Sequence, residues 1–385
     1  MPVTEESKLS KMLADGQINA ISVDTNIFDE KSLQLNGTAL QAISRLAALH
    51  FDFLLSGTVA REIGRHLERS TTEALRTARK AVGMALGAFE TEAPTRDDIL
   101  EQISGGQTAG SAAEKRFNDY LAATNCVVLD DTALVDTATI FNAYFAGDPP
   151  FGTGSKKNEF PDALALLALE RVSAQRGKGI IVVSKDGDWR SFCERSQVLH
   201  LVPDIERALS LINHPPVILR AALTAWLVGG DGRADIEPFL ARAVENLEFS
   251  VNGNSTSGEM YAHAWAGELR HTGWPETDEI DIIEMESPND ETLQVTLSIP
   301  LILTVRVPIE IEFSMWDSID RESVGMGSRT IEPDDELEMR ATVNITVHDL
   351  GGESEYFDVR NCELDRNYLE IELGEVSAFV HEDYD

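Results

Sequence analysis

Beyond Pro215 this chain of 385 residues contains no lysine. From Pro216 to Asp385 it sets 10 arginines against 37 aspartates and glutamates, a formal charge of -27. The preceding part carries 22 basic and 29 acidic residues, a formal -7 out of -34 for the whole chain. The acidic half should therefore repel nucleic acid, whereas the first half can hold it through local basic patches. Cysteine is scarce: Cys126, Cys193 and Cys362 lie far apart without metal-type spacing, which reads as reduced thiols and argues against a zinc site. No uninterrupted apolar run is long enough to cross a bilayer. The opening Met1-Pro2-Val3-Thr4-Glu5-Glu6 has neither a basic nor an apolar segment of the secretory kind. The expectation is a cytoplasmic protein without membrane contact.

What remains is an ordinary globular composition, 43% hydrophobic and 25% charged, on a chain too long for a single core. The charge break and the stiff His214-Pro215-Pro216 suggest two domains, 1–214 and 215–385. Before the break, short apolar runs alternate with helical periodicity. Strands are predicted over Ala20 to Val23, Phe51 to Leu55, Cys126 to Leu129, Gly179 to Ser184 and Val198 to Val202. Helices are predicted over Val59 to Leu67, Thr72 to Phe89, Glu114 to Ala123, Leu134 to Phe145, Asp162 to Val172 and Pro203 to Leu211. This alternation gives an α/β domain with a mainly parallel sheet, interrupted by a helical and loop excursion over about 72–123. After the break come helices Val217 to Leu227 and Ile236 to Leu247. Period-two runs follow at Leu293 to Leu297, Leu301 to Phe313, Leu337 to Val347 and Tyr368 to Leu373, an α+β domain with one antiparallel sheet.

Four acids share a context. Asp24 ends the buried run Ala20-Ile21-Ser22-Val23, and Glu62 falls in the first turns of the helix after the second strand. Asp162 follows Pro161 at a helix start, and Asp186 follows the strongest strand with Asp188 close by. Taken alone, Asp24 reads best as the cap of a helix starting near Asn26. Taken together, the four converge on one end of a parallel sheet, where open α/β folds bind ligands. Like charges gathered there oppose folding unless a cation or shared protons offset them. Carboxylate oxygens suit hard divalent ions, so Mg²⁺ or Mn²⁺ is the expected cofactor.

The blocks Val-Asp24-Thr25-Asn26, Ser56-Gly-Thr58-Val-Ala-Arg61-Glu62, Asn158-Glu-Phe-Pro-Asp162-Ala-Leu and Val-Ser184-Lys185-Asp186-Gly-Asp188-Trp resemble, in order and context, the PIN-domain nucleases over about residues 18–211. The resemblance implies a PIN-like three-layer fold and a metal-dependent endoribonuclease leaving a 5′-phosphate and a 3′-hydroxyl. It carries Asp24, Glu62, Asp162 and Asp186 over as catalytic metal-binding acids, with Asp188 as an auxiliary ligand. Thr25, Asn26 and Ser184 would orient carboxylates or substrate. Lys156, Lys157, Lys185, Arg61 and Arg65 are candidate phosphate contacts, and Arg76, Arg79 and Lys80 on the helix from Thr72 offer a second face. Trp189 reads as core rather than as a stacking residue. Family habit adds a bacterial toxin or defence role.

Two rival functions bear on the same residues. A haloacid-dehalogenase-type phosphatase needs an acid two residues after the first, where this chain has Asn26. A catalytically inactive RNA-binding or scaffold module is disfavoured by the presence of all four carboxylates. The acidic half is expected either to shield the nuclease face or to engage a basic partner, and a homo-oligomer is left open.

Overall fold

The structure is a computed structural model that describes residues 6–89, 94–151, 159–256, 258–276, 279–289, 292–317 and 322–377. The chain divides into two compact units, Met1–His214 and Pro215–Asp385.

In the first unit, α1 (Glu6–Ala14) leads into β1 (Ile18–Val23) and α2 (Thr25–Glu30). The short α3 (Thr38–Gln41) continues into a 3-10 segment (Ala42–Leu49) before β2 (Asp52–Leu55). Three helices, α4 (Gly57–Ala88), α5 (Arg96–Ser104) and α6 (Ala109–Ala123), then precede β3 (Val127–Val128). After α7 (Asp131–Leu134), α8 (Thr137–Ala146) and α9 (Phe160–Arg176) come β4 (Gly179–Val183), α10 (Gly187–Cys193), β5 (Leu199–Val202) and α11 (Ile205–Asn213). The strands lie in the order β3-β2-β1-β4-β5 with every pairing parallel, so the sheet is wholly rather than mainly parallel. β1 and β4 occupy its centre and read as continuous β-branched runs: Ile18, Ala20, Ile21 and Val23 are buried, as are Ile180 through Val183. Each Ile or Val side chain among them contributes on the order of 1.5–3 kcal/mol by leaving water. The chain builds outward from β1 through β2 to β3, then crosses back to β4 on the other side of β1. The topological switch point therefore lies between β1 and β4.

Two predicted helices, Val59 to Leu67 and Thr72 to Phe89, are one. Nothing between them breaks a helix, and the polar Thr71 and Thr72 donate their hydroxyls back to Leu67 O and Glu68 O, both at 2.8 Å. Conversely, the predicted helix from Leu134 to Phe145 is two, because the Asp136 side chain caps a new start at Thr139 N. α5 went unpredicted within a Gly- and Ser-rich stretch, yet Thr95 and Asp98 form a reciprocal capping box at its start. The stretch expected as an excursion also feeds the core. In α6, Ala113, Phe117 and Tyr120 are buried, and Tyr120 meets Phe28 and Phe53 edge-to-face at 5.9 and 6.4 Å.

The second unit opens with α12 (Val217–Val228) and α13 (Asp231–Glu245). Ten strands follow: β6 (Glu248–Ser255), β7 (Glu259–Ala264), β8 (Glu268–Gly273), β9 (Asp281–Asn289), β10 (Thr292–Arg306), β11 (Ile309–Asp317), β12 (Glu322–Ile331), β13 (Asp334–His348), β14 (Tyr356–Leu364) and β15 (Tyr368–Val376). Instead of one antiparallel sheet, the described residues form three sheets, two of them antiparallel. One has the order β14-β13-β10-β8 with β9 also on β10, a second is β12-β11-β7, and the third is a parallel pair of β15 with β6. The long β10–β13 ladder runs from Thr292↔His348 to Arg306↔Asp334 and buries alternate residues, Val295, Leu297, Ile299, Leu301, Leu303 and Val305. No described helix is long and apolar enough to cross a membrane.

Candidate active site

Parallel pairing places Val23 beside Val183, and Asp24 N donates to Val183 O at 2.9 Å. The next residue on each strand, Asp24 and Ser184, therefore meets the other at the switch point. Ser184 Oγ donates to Asp24 Oδ2 at 2.6 Å and accepts from Asp186 N at 3.0 Å. Asn26 Nδ2 donates to Asp24 Oδ2 at 2.7 Å and reaches Ser184 Oγ at 3.1 Å, while Thr25 N donates to Asp24 Oδ1 at 2.7 Å. Asp24 is thus both the cap of α2 and a carboxylate fixed from three directions, with 6% of its surface exposed.

Glu62 is delivered by α4. Its start is pinned by a residue the sequence reading missed, Asp131, which is buried after β3. Asp131 accepts from Ser56 Oγ (2.8 Å), Gly57 N (3.1 Å), Thr58 N (2.7 Å) and Thr58 Oγ1 (2.7 Å), so one carboxylate satisfies several otherwise orphaned donors of the helix start. Thr25 Oγ1 then donates to Glu62 Oε2 at 2.9 Å, joining α2 to α4.

Asp162 sits in the first turn of α9 behind Pro161, and Trp189 Nε1 donates to its Oδ1 at 2.9 Å. Trp189 is 1% exposed, so it is core as expected and an orienting donor as well. Glu159, a second residue missed, shares a hydrogen bond with Asp162. Asp186 caps α10 by accepting from Asp188 N at 2.6 Å and Trp189 N at 3.2 Å. Asp188 itself is half-buried.

Electrostatics tie the acids together. Burial pushes the Asp24 carboxyl up to about 6, opposed by the hydrogen bonds from Ser184 and Thr25 and reinforced by the charges of Asp186 and Glu62. Burial likewise raises Asp162, against the pull of Trp189, with the proton shared with Glu159 and the charge of Asp24 adding to the rise. Among the described residues, no three Asp, Glu, His or Cys side chains form a group that could hold an ion. The donor set nonetheless suits a hard divalent cation, because Mg²⁺ keeps several waters and needs only one or two carboxylates directly. Asn26 Oδ1, buried and without a partner beside Asp24, is an acceptor suited to such a water shell.

The cationic candidates fare differently. Lys185 is held by Glu30 at 2.7 Å and Asp204 at 3.1 Å, which places its charge on neighbouring carboxylates instead of an open phosphate position. Arg61 Nε donates to Gly57 O at 3.1 Å on the exposed side of α4, and Arg65 is exposed a turn further on. Lys156 and Lys157 lie outside the described residues, as does Asn158. Arg76 pairs with Glu73 and Arg79 with Asp97, while Lys80 is exposed.

Residues 21–189 match the family model described as PIN domain. The N-terminal unit is a PIN domain. PIN domains are in general nucleases that use divalent metal ions, so this unit is of the nuclease type, a hydrolase. The match begins inside β1 and ends at Trp189, and so spans Asp24, Glu62, Asp162 and Asp186. No curated protein and no solved structure shows a significant match to the chain.

Proposed function

We propose that the PIN domain is an endoribonuclease that hydrolyses RNA phosphodiester bonds with Mg²⁺ or Mn²⁺ held by Asp24, Glu62, Asp162 and Asp186, assisted by Asp188. The observation that carries this reading is the mutual influence of the acids. Asp24 feels the charges of Asp186 and Glu62, and Asp162 feels Asp24, at the end of the sheet where such folds place ligands. When bound, a divalent ion supplies a water of lowered pKa and neutralises charge on the phosphoryl oxygens.

The chain's own residues do the positioning. Ser184, Asn26 and Thr25 spend three donors on Asp24, fixing the direction of its remaining lone pairs. Thr25 fixes Glu62, and Trp189 fixes Asp162. Burial raises the Asp162 carboxyl to about 7, which suits it to accept the proton of the attacking water near neutral pH. In-line attack of that water releases a 3′-hydroxyl and leaves a 5′-phosphate.

Incubating the full chain with mixed RNA in Mn²⁺ or in EDTA, with single-stranded DNA alongside, tests the reading. Cleavage of RNA in Mn²⁺ alone is expected, and Asp24→Asn or Asp162→Asn should remove it. An undiminished rate in either variant would overturn the assignment.

A further inference from the structure

Two acids beside the site stand against their local preference. Glu30 is the last residue of α2, where the carbonyl end of a helix disfavours negative charge. Asp204 occupies the cap position of α11. At the same position Asp24, Asp136 and Asp186 each accept from backbone N–H groups of their own helices, yet the Asp204 side chain caps nothing. Both carboxylates turn instead to one ammonium. Lys185 Nζ lies 2.7 Å from Glu30 Oε2 and 3.1 Å from Asp204 Oδ1. Residues that conflict with the element around them are characteristic of places where a site is being held.

The sheet register brings these groups together. Val183 pairs with Val202, and Lys185 and Asp204 each lie two residues further on. Glu30 arrives from the other side of β4, because α2 follows β1 and begins at the cap Asp24. A second ion pair runs alongside. Lys31 Nζ lies 2.6 Å from Glu206 Oε1 with both side chains nearly buried, so the end of α2 is joined to α11 twice. Lys185 also stands in the chain between two residues of the site. Ser184 Oγ donates to Asp24 Oδ2, and Asp186 N donates to Ser184 Oγ. Holding the ammonium of Lys185 against α2 and α11 therefore holds the connection from β4 to α10, which carries both Ser184 and Asp186.

We propose that Lys185 is a positioning residue that, clasped by Glu30 and Asp204, sets Ser184 and Asp186 against Asp24 instead of contacting an RNA phosphate. Its effect on turnover rests on the nuclease reading of the domain. Its effect on the geometry of the connection does not.

The test uses the full chain. With RNA and Mn²⁺, Lys185→Met should lower kcat about tenfold with KM nearly unchanged, and Lys185→Arg should restore most of the loss. Neutralising the clasp from the other side, with Glu30→Gln and Asp204→Asn together, should lower kcat by a similar factor. Adding Lys185→Met to that pair should cost nothing more, since all three act as one unit. A phosphate contact behaves in the opposite way. KM would rise in Lys185→Met and fall when the two acids are neutralised, and that pattern, or an unchanged kcat, would overturn the proposal. Hydrogen exchange supplies a readout independent of cleavage. The amides of Asp186 and Asp188, bonded to Ser184 Oγ and Asp186 Oδ1, should exchange about tenfold faster in Lys185→Met and at the original rate in Lys185→Arg. Exchange in β2 should stay unchanged in both, and a rise throughout the sheet would assign Lys185 to general stability and sink the clasp. Should the wild-type chain cleave nothing, the nuclease reading fails and exchange alone decides: a local rise at Asp186 and Asp188 supports the clasp, and its absence overturns it.

Discussion

Asp24 has to serve two ends that pull against each other. As a cap it is favoured ionised, yet burial beside Asp186 and Glu62 favours its protonated form, and the second influence wins. An acid whose folded pKa lies above its unfolded value stabilises the fold fully below about 3.8 and loses that contribution as pH rises through about 6. In EDTA, thermal stability should therefore fall between about pH 4 and 7, by an amount on the order of 3 kcal/mol for this group. Asp24→Asn should flatten the fall, and Mn²⁺ should reverse it with proton release that is larger at pH 6 than at pH 8. A stability profile identical in Asp24→Asn and wild type would refute the assignment. Asp131 poses the complementary case. Asp131→Ala strands Gly57 N and the hydroxyls of Ser56 and Thr58, and is expected to lower unfolding stability by about 2–4 kcal/mol and to reduce cleavage through a displaced Glu62.

Among elements, α6 settles whether the long insertion is an appendage. If it were, truncating its side chains would leave the sheet alone. Tyr120 instead stands between Phe28 and Phe53, so Tyr120→Ala is expected to cost about 3–5 kcal/mol in denaturant titration. The sequence showed the central strands and the acids at their ends because buried parallel strands are continuous apolar runs that stop abruptly. Asp24 and Asp186 were legible for that reason, whereas Glu62 and Asp162 were marked by the starts of their helices. Asp131 and Glu159 were not singled out, since an acid serving a neighbour's backbone or another acid looks locally like any cap or loop residue. The pairing of Lys185 with Glu30 and Asp204 was not legible, because its partners come from distant parts of the sequence. The acidic unit was less legible still. β6, β7 and β8 alternate between partial and full exposure, so no apolar run announces them.

For the whole molecule, charge is the governing quantity. With -34 overall and -27 beyond Pro215, long-range repulsion of RNA should oppose encounter at low ionic strength. Ending the chain near Leu211 is expected to raise kcat/KM at low salt, with the difference shrinking towards about 0.5 M as screening shortens. Equal rates at low salt would show that the acidic unit does not restrain the nuclease, and would turn attention to a basic partner.

The pairing of β15 with β6 has a consequence for biosynthesis. It joins Glu248 to Tyr368 and Ser255 to Val376, so the ladder cannot form until the chain has emerged from the ribosome as far as Val376. The parallel sheet of the first unit, by contrast, is complete at Val202. At ordinary translation speeds of about 5–20 residues per second, roughly ten seconds or more separate the two events. Throughout that interval the nascent chain already carries Asp24, Glu62, Asp162 and Asp186, while the negatively charged half is still being made.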